Sequence, residues 1–89
     1  MSTTGTKDQI ELAKELNATV FLNMSICYYL LKNYSKAVEK ATLALKNKKT
    51  LKGLYRRGKA YAARLDYERA IKDMEDAVKM DPSDINDIQ

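Results

Sequence analysis

The stretch that indicates the fold of this chain is Lys52-Gly-Leu-Tyr-Arg-Arg-Gly-Lys-Ala-Tyr61. Its cations recur at spacings of four and three residues, which places them along one side of a helix: Lys52, Arg56 and Lys59. On another side, Gly58 lacks the bulk that would keep a second helix at a distance. No carboxylate interrupts the cations, so this side is a candidate anion-binding surface, with a solvated basic helix face as the alternative.

The residues around this stretch recur 33 positions earlier in the chain. Five pairs share that offset: Ser25 and Gly58, Tyr28 and Tyr61, Tyr34 and Tyr67, Ala37 and Ala70, and Ala44 and Ala77. Small residues allow the two helices of a unit to cross closely, and tyrosines fill the space between units. We therefore predict an all-α fold, in which two helix–turn–helix repeats form part of an α-α superhelix.

Apolar periodicity predicts four helices, near residues 8–32, 34–46, 50–64 and 66–80. The first helix is extended, and its second half is apolar nearly all round, which requires cover on more than one side. The candidate N-caps are Thr6 or Asp8, Thr50, and Asp66. Residues 1–7 are predicted to be a disordered lead-in, and residues 84–89 to begin a C-terminal capping helix after Asp81-Pro82.

Composition excludes several classes of function. The 89 residues suit one small domain, and a net charge of +4 is too low for a dedicated nucleic-acid binder. The absence of histidine removes most hydrolase and zinc hypotheses, so no catalytic residue, metal or cofactor is predicted. The single cysteine, Cys27, indicates a reducing, cytoplasmic location and is interpreted as a core thiol. We find neither a signal peptide nor a membrane-spanning run.

The repeated unit resembles the tetratricopeptide repeat family, whose Asp-Pro signature is matched at Asp81-Pro82. The resemblance implies a domain over residues 8–83, with repeats at about 18–50 and 51–83. Each repeat is one residue shorter than the usual 34. The first repeat has Lys49 in place of the terminal proline.

A narrower resemblance concerns chaperone-cofactor repeats, which occur in the large immunophilins, peptidyl-prolyl isomerases with a repeat tail. Three phrases are similar to the second and third repeats of that group: Phe21-Leu-Asn-Met-Ser-Ile-Cys-Tyr28, Tyr34-Ser-Lys-Ala-Val38 and Lys52-Gly-Leu-Tyr-Arg-Arg-Gly58. The resemblance implies a non-enzymatic interaction module. Its expected partner is the acidic C-terminal Glu-Glu-Val-Asp of heat-shock protein 90 or heat-shock protein 70.

In that family a carboxylate clamp of five groove residues holds the peptide. By motif position, Asn23 matches the clamp asparagine of the second repeat, while Lys52 and Arg56 match the lysine and arginine of the third. The other two clamp residues belong to a first repeat that this sequence does not contain. Possible additional groove residues are Lys59, Leu30 and Thr19.

The chemistry of these residues agrees with that expectation. A peptide that ends in aspartate presents two carboxylates, which cations bind through charge-assisted hydrogen bonds while an amide adds a neutral donor. For Asn23 the alternative is a buried amide that is satisfied by neighbouring backbone. Arg57 should point away from the groove, as a packing or salt-bridge residue with Glu75 or Asp76 as candidate partners.

Two other functions remain open. Half of the 16 cations lie within residues 46–64, a basic patch that RNA or anionic lipid head groups could occupy; no RNA-binding motif accompanies it, so nucleic acid is not the expected partner. A self-associating structural fragment is the other alternative. Ile10, Leu12 and Leu16 precede the first repeat and require cover, which predicts a homodimer through the first helix.

Overall fold

A computed structural model describes residues 6–80, which form four α-helices. They are α1 (Lys7–Leu30), α2 (Tyr34–Asn47), α3 (Leu51–Ala63) and α4 (Tyr67–Met80). Within residues 6–80 there is no strand. α1 packs on α2, α3 packs on α4, and α2 and α1 both contact α3, so two hairpins stack side by side. The predicted all-α, tetratricopeptide-like fold is confirmed.

The ends of the helices follow from local hydrogen bonds. The Thr6 hydroxyl accepts a hydrogen bond from the Gln9 amide at 3.1 Å, so α1 begins at Lys7, inside the segment predicted as lead-in. α1 ends at Leu30 and not near residue 32, because Lys32 has a φ of 64°, which a right-handed helix does not allow. The rest of the predicted lead-in, residues 1–5, and the predicted capping helix at 84–89 lie outside the described residues.

The turns inside the two hairpins have the same backbone hydrogen bonds. In the first, the Asn33 amide donates to the Tyr28 carbonyl at 2.9 Å; in the second, the Asp66 amide donates to the Tyr61 carbonyl at 2.9 Å. The central residues, Lys32 and Leu65, have φ values of 64° and 66°. Since every member of the second set follows its counterpart at the repeat offset, the sequence repeat is also a repeat of backbone conformation.

The helices of each hairpin cross at the small residue that the repeat predicts. Ser25 is buried, and its hydroxyl donates to the Ala37 carbonyl at 2.7 Å. At the equivalent position, a Cβ on Gly58 would lie 3.3 Å from the Ala70 carbonyl oxygen. That distance leaves almost no room for a side chain, so glycine permits the second crossing.

The core lies in the seam between the hairpins. Ala37, Val38 and Ala60 are buried there, and three partly buried tyrosines pack against them: Tyr28, Tyr29 and Tyr61. The interpretation of Cys27 as a core thiol is wrong, because this cysteine is exposed. Its counterpart in the second repeat, Ala60, is covered by the first hairpin, whereas no described element covers the outer side of α1.

Candidate functional site

The three cations of the opening stretch share one side of α3. Lys52 is exposed, while Arg56 and Lys59 are half-buried. Within residues 6–80 none of the three has a carboxylate oxygen within 4.0 Å. With a helical rise of about 1.5 Å per residue, they extend over about 10 Å of the helix. The second hairpin therefore carries a short row of cations that the described acids do not neutralise.

Neighbouring cations are neutralised by acids and serve the fold. Lys48 Nζ lies 2.9 Å from Glu15 Oε2 and ties the α2–α3 connection to α1. Arg57 donates two hydrogen bonds of 2.8 Å to the carboxylate of Asp73, whose side chain is 3% exposed. These bonds raise the pKa of Arg57 above its usual value, and the ion pair holds α3 to α4.

The partners predicted for Arg57 are wrong. Glu75 is exposed, and Asp76 accepts from Lys72 Nζ at 2.8 Å. Asp73 is the acid on the buried side of α4, because it lies three residues after Ala70, which is also buried. Helical spacing from the repeat alanines was the signal that could have identified it.

Two tyrosine rings hold the last cation of the row. Lys59 Nζ lies 5.3 Å from the ring centre of Tyr29 and 5.9 Å from that of Tyr55, distances typical of cation–π contacts. The Arg56 guanidinium lies 5.8 Å from the Tyr55 ring. Tyr29 belongs to α1, so Lys59 spans the two hairpins. Tyr29 was not predicted as a groove residue, because its separation from Lys59 along the chain differs from the repeat offset.

The opposite end of the row also meets α1. Thr19 and Lys52 line one cavity of about 330 Å³, together with residues of the α2–α3 connection. Thr19, at the middle of α1, thus faces Lys52 at the beginning of α3, and Tyr29 at the end of α1 faces Lys59 in the second half of α3. α1 and α3 therefore run side by side in the same direction. We call the surface between them the cationic groove; its residues are Thr19, Tyr29, Lys52, Tyr55, Arg56 and Lys59.

The other two predicted site residues lie on α1 outside these contacts. Asn23 is exposed, so the buried-amide interpretation is wrong, and among residues 6–80 its side chain makes no hydrogen bond. It follows Thr19 by one turn but does not line the cavity of Thr19 and Lys52. Instead it lines a cavity of about 500 Å³ on the outer side of α1, with Val20, Met24, Cys27, Tyr28 and Leu31. Leu30 is 74% exposed.

Residues 6–80 contain neither a metal-binding cluster nor a membrane-crossing helix. No cluster of three or more cysteine, aspartate or glutamate side chains has the arrangement of a metal site. None of the four helices combines the length and hydropathy of a membrane-crossing segment.

Comparison with known proteins identifies the architecture. A model of the tetratricopeptide repeat matches residues 51–84. Peptidyl-prolyl cis-trans isomerase D of Kluyveromyces lactis is 34% identical over 83 residues, which are 88% of this chain and 22% of that protein. FK506-binding protein 5 of Rhizopus delemar is 35% identical over 65 residues, 72% of this chain and 17% of that protein.

Human peptidyl-prolyl cis-trans isomerase FKBP4 is 31% identical over 77 residues, 85% of this chain and 17% of that protein. The chain thus spans about a fifth of the length of these relatives. No solved structure matches the chain significantly. Residues 51–84 thus match a tetratricopeptide repeat, and the chain is similar to the repeat regions of immunophilin-type proteins.

Proposed function

We propose that this chain is a cytoplasmic, non-enzymatic interaction module that binds acidic peptide C-termini in the cationic groove. The expected ligand is the C-terminal Glu-Glu-Val-Asp of heat-shock protein 90 or 70. One observation carries the proposal: Lys52, Arg56 and Lys59 share one side of α3 with no described carboxylate within 4.0 Å, although Lys48 and Arg57 beside them are neutralised. The row is thus left with charge that an acidic ligand can balance.

The groove side chains suit the two carboxylates of a C-terminal aspartate. The Arg56 guanidinium can form paired hydrogen bonds with one carboxylate, and the Lys52 ammonium can bind the other. Arg56 is half-buried beside Tyr55, which lowers the local dielectric constant and strengthens the attraction. Asn23 occupies the position on α1 that is equivalent to Arg56 on α3; it lines the cavity on the outer side of α1, and its amide would serve the peptide as a neutral donor only after turning from that cavity to the groove.

The test is the affinity for a Glu-Glu-Val-Asp peptide, measured by isothermal titration calorimetry. One charge-assisted hydrogen bond contributes about 1.5–3 kcal/mol, so Arg56→Ala should weaken binding tenfold or more. Arg69→Ala is the matched control, because Arg69 is exposed on α4 and pairs only with Asp66 among the described residues. That variant should bind as the wild type does.

A peptide with an amidated C-terminus tests the assignment directly, since the amide removes one of the two carboxylates. We expect at least a tenfold loss of affinity, and equal affinity would contradict the proposal. RNA or anionic lipid bound in the same groove would show a different dependence of affinity on salt concentration. Phosphate binding weakens steeply as the salt concentration rises, and a peptide held by two or three cations weakens less.

Self-association through α1 is a second candidate, favoured by the exposure of apolar side chains along its outer side. The exposed fractions are 44% for Ile10, 56% for Leu12, 59% for Leu16, 56% for Val20 and 74% for Leu31. A second copy presents the same apolar set, as an isologous interface requires. Sedimentation over a dilution series should show a dimer at micromolar concentrations or above. A strictly monomeric species at hundreds of micromolar would contradict it.

A further inference from the structure

We propose that Lys59, held between the rings of Tyr29 and Tyr55, is a third anion subsite of the cationic groove. It binds the acidic side chain two positions before the C-terminal residue of the peptide. This inference rests on the proposed function and extends it, because it makes one upstream residue of the ligand a determinant of specificity.

The position of Lys59 is fixed by a rigid aromatic platform. Tyr29 packs against the buried core residues Ala37, Val38 and Ala60, and its ring meets the edge of Tyr34 at a centroid distance of 5.3 Å. A lysine over such a ring keeps its charge while it loses mobility. The ammonium is therefore arranged before any ligand arrives, which reduces the entropy lost on binding.

The fold does not require a cation at this position. Ile26 is the counterpart of Lys59 in the first hairpin, at the repeat offset, and it is half-buried in the same way. An apolar side chain thus satisfies the packing of this helix position. Within residues 6–80 Lys59 also has no carboxylate partner, in contrast to Lys48. Its charge is explained by a ligand and not by the packing.

The spacing selects the ligand residue. The midpoint between Lys52 and Arg56 lies about 7–8 Å before Lys59 along α3, from a rise of about 1.5 Å per residue. An extended peptide advances about 3.3 Å per residue, so two residues cover about 7 Å. Side chains of an extended chain alternate between faces, so the C-terminal residue and the one two positions earlier both face α3. The residue three positions earlier faces away.

Three peptides separate these positions: Glu-Glu-Val-Asp, Glu-Gln-Val-Asp and Gln-Glu-Val-Asp. Wild-type protein should bind Glu-Gln-Val-Asp about three- to tenfold more weakly than Glu-Glu-Val-Asp, and Gln-Glu-Val-Asp almost unchanged. Lys59→Gln should lose a similar factor with Glu-Glu-Val-Asp and should no longer distinguish it from Glu-Gln-Val-Asp. Lys36→Gln, an exposed lysine of α2, is the matched control and should behave as wild type.

Two results would overturn the inference. In one, wild-type protein loses the same affinity with Glu-Gln-Val-Asp as with Gln-Glu-Val-Asp. In the other, Lys59→Gln still binds Glu-Glu-Val-Asp about three- to tenfold more tightly than Glu-Gln-Val-Asp. Either result is compatible with the proposed function if Arg56→Ala binds Glu-Glu-Val-Asp weakly and wild-type protein binds the amidated peptide weakly. Equal binding of the amidated peptide is a separate result, which contradicts the proposed function itself. Lys59→Ile provides a second variant with the residue that the first hairpin has at the equivalent position, and a cooperative unfolding transition shows for each variant that it is folded.

Discussion

The hairpins α1–α2 and α3–α4 share a backbone and differ in the chemistry of their groove side. Each of the three cations of the cationic groove has a neutral counterpart on α1 at the repeat offset: Thr19 for Lys52, Asn23 for Arg56 and Ile26 for Lys59. The turns and the crossing points are nevertheless equivalent. Fold and charge are therefore specified by separate residues, since small residues and turn conformation fix the hairpin while the groove positions vary.

The hairpins also differ in what secures their helix crossings. In the first, the Ser25 hydroxyl binds the Ala37 carbonyl. In the second, the ion pair of Arg57 and Asp73 lies beside Gly58. The counterpart of Asp73 in the first hairpin is Lys40, which pairs with Glu39 at 3.4 Å. The carboxylate of Asp73 is buried, with a side chain 3% exposed, whereas the Lys40 side chain is 18% exposed and its partner Glu39 is 52% exposed.

The largest expected effect comes from breaking that ion pair. Asp73→Ala leaves the guanidinium of Arg57, whose side chain is 22% exposed, without its partner. Loss of one partner of a buried pair typically costs about 3–5 kcal/mol, and we expect the lower end because Arg57 retains some contact with water. The free energy of unfolding from urea titration measures this, provided that the domain keeps enough stability to fold.

The first hairpin supplies the comparison. Lys40→Ala changes the equivalent position and should lower the free energy of unfolding by about 1 kcal/mol, because its side chain, 18% exposed, loses packing while its partner Glu39 lies in water. Arg57→Met combined with Asp73→Leu should recover most of the stability that Asp73→Ala loses, since apolar replacement of a buried pair is often neutral. Similar losses for Asp73→Ala and Lys40→Ala would show that the crossings do not differ in this way.

The second-largest expected effect is on the affinity for the peptide. The triple variant Lys52→Thr, Arg56→Asn, Lys59→Ile places the residues of α1 at the equivalent positions of α3. Loss of two or more charge-assisted contacts should weaken Glu-Glu-Val-Asp binding about 100-fold or more. The free energy of unfolding should fall by no more than about 1–2 kcal/mol, because none of these cations has a described acidic partner and the lost cation–π contacts with Tyr29 and Tyr55 contribute about 0.5–1 kcal/mol each.

A charge-matched control separates the site from net charge. Lys7→Thr, Lys36→Asn and Lys79→Ile also remove three cations, all of them exposed and outside the groove. This control should retain peptide affinity within about twofold at moderate salt, since distant charges are screened. If the groove variant lost as much free energy of unfolding as Asp73→Ala, the groove cations would stabilise the fold. The claim that separate residues specify the fold and the charge of the groove would then be wrong.

Residues that act within one repeat were predictable from the sequence. The repeat offset identified the hairpins and the close crossings at Ser25 and Gly58, and helical spacing identified the cationic side of α3. These features depend on helical periodicity and on residue size, which the sequence displays directly. The N-caps Thr6 and Thr50 were predictable for the same reason, because capping is local.

Contacts between repeats were not predictable in this way. Tyr29 meets Lys59 at a separation that does not match the repeat, so the offset does not reveal the contact. Cys27 lies in an apolar stripe, yet its burial depends on what covers α1 and not on the stripe. Asp73 differs, because its buried position follows from helical spacing. Asn23, Lys52 and Arg56 as a peptide site remain a prediction.

The smallest expected effect tests whether the two turns are equivalent in energy as well as in conformation. Lys32 and Leu65 both adopt left-handed conformations, which cost about 1–2 kcal/mol in a residue with a Cβ. Glycine removes that cost but loses about 0.5–1 kcal/mol through the greater freedom of the unfolded chain. Lys32→Gly and Leu65→Gly should therefore each raise the free energy of unfolding by about 0.5 kcal/mol.

Thermal unfolding measures this gain as a rise in Tm of about 2–4 °C for a domain of this size. Leu65 is 71% exposed, so its replacement gives up little apolar burial. Leu65→Ala is the matched control: it shortens the side chain but keeps the Cβ that opposes a positive φ, and it should not raise Tm. Equal gains at both turns would show that the two turns are equivalent in energy as well as in backbone conformation. A gain at only one turn would mean that neighbouring contacts, which differ between the hairpins, determine the strain.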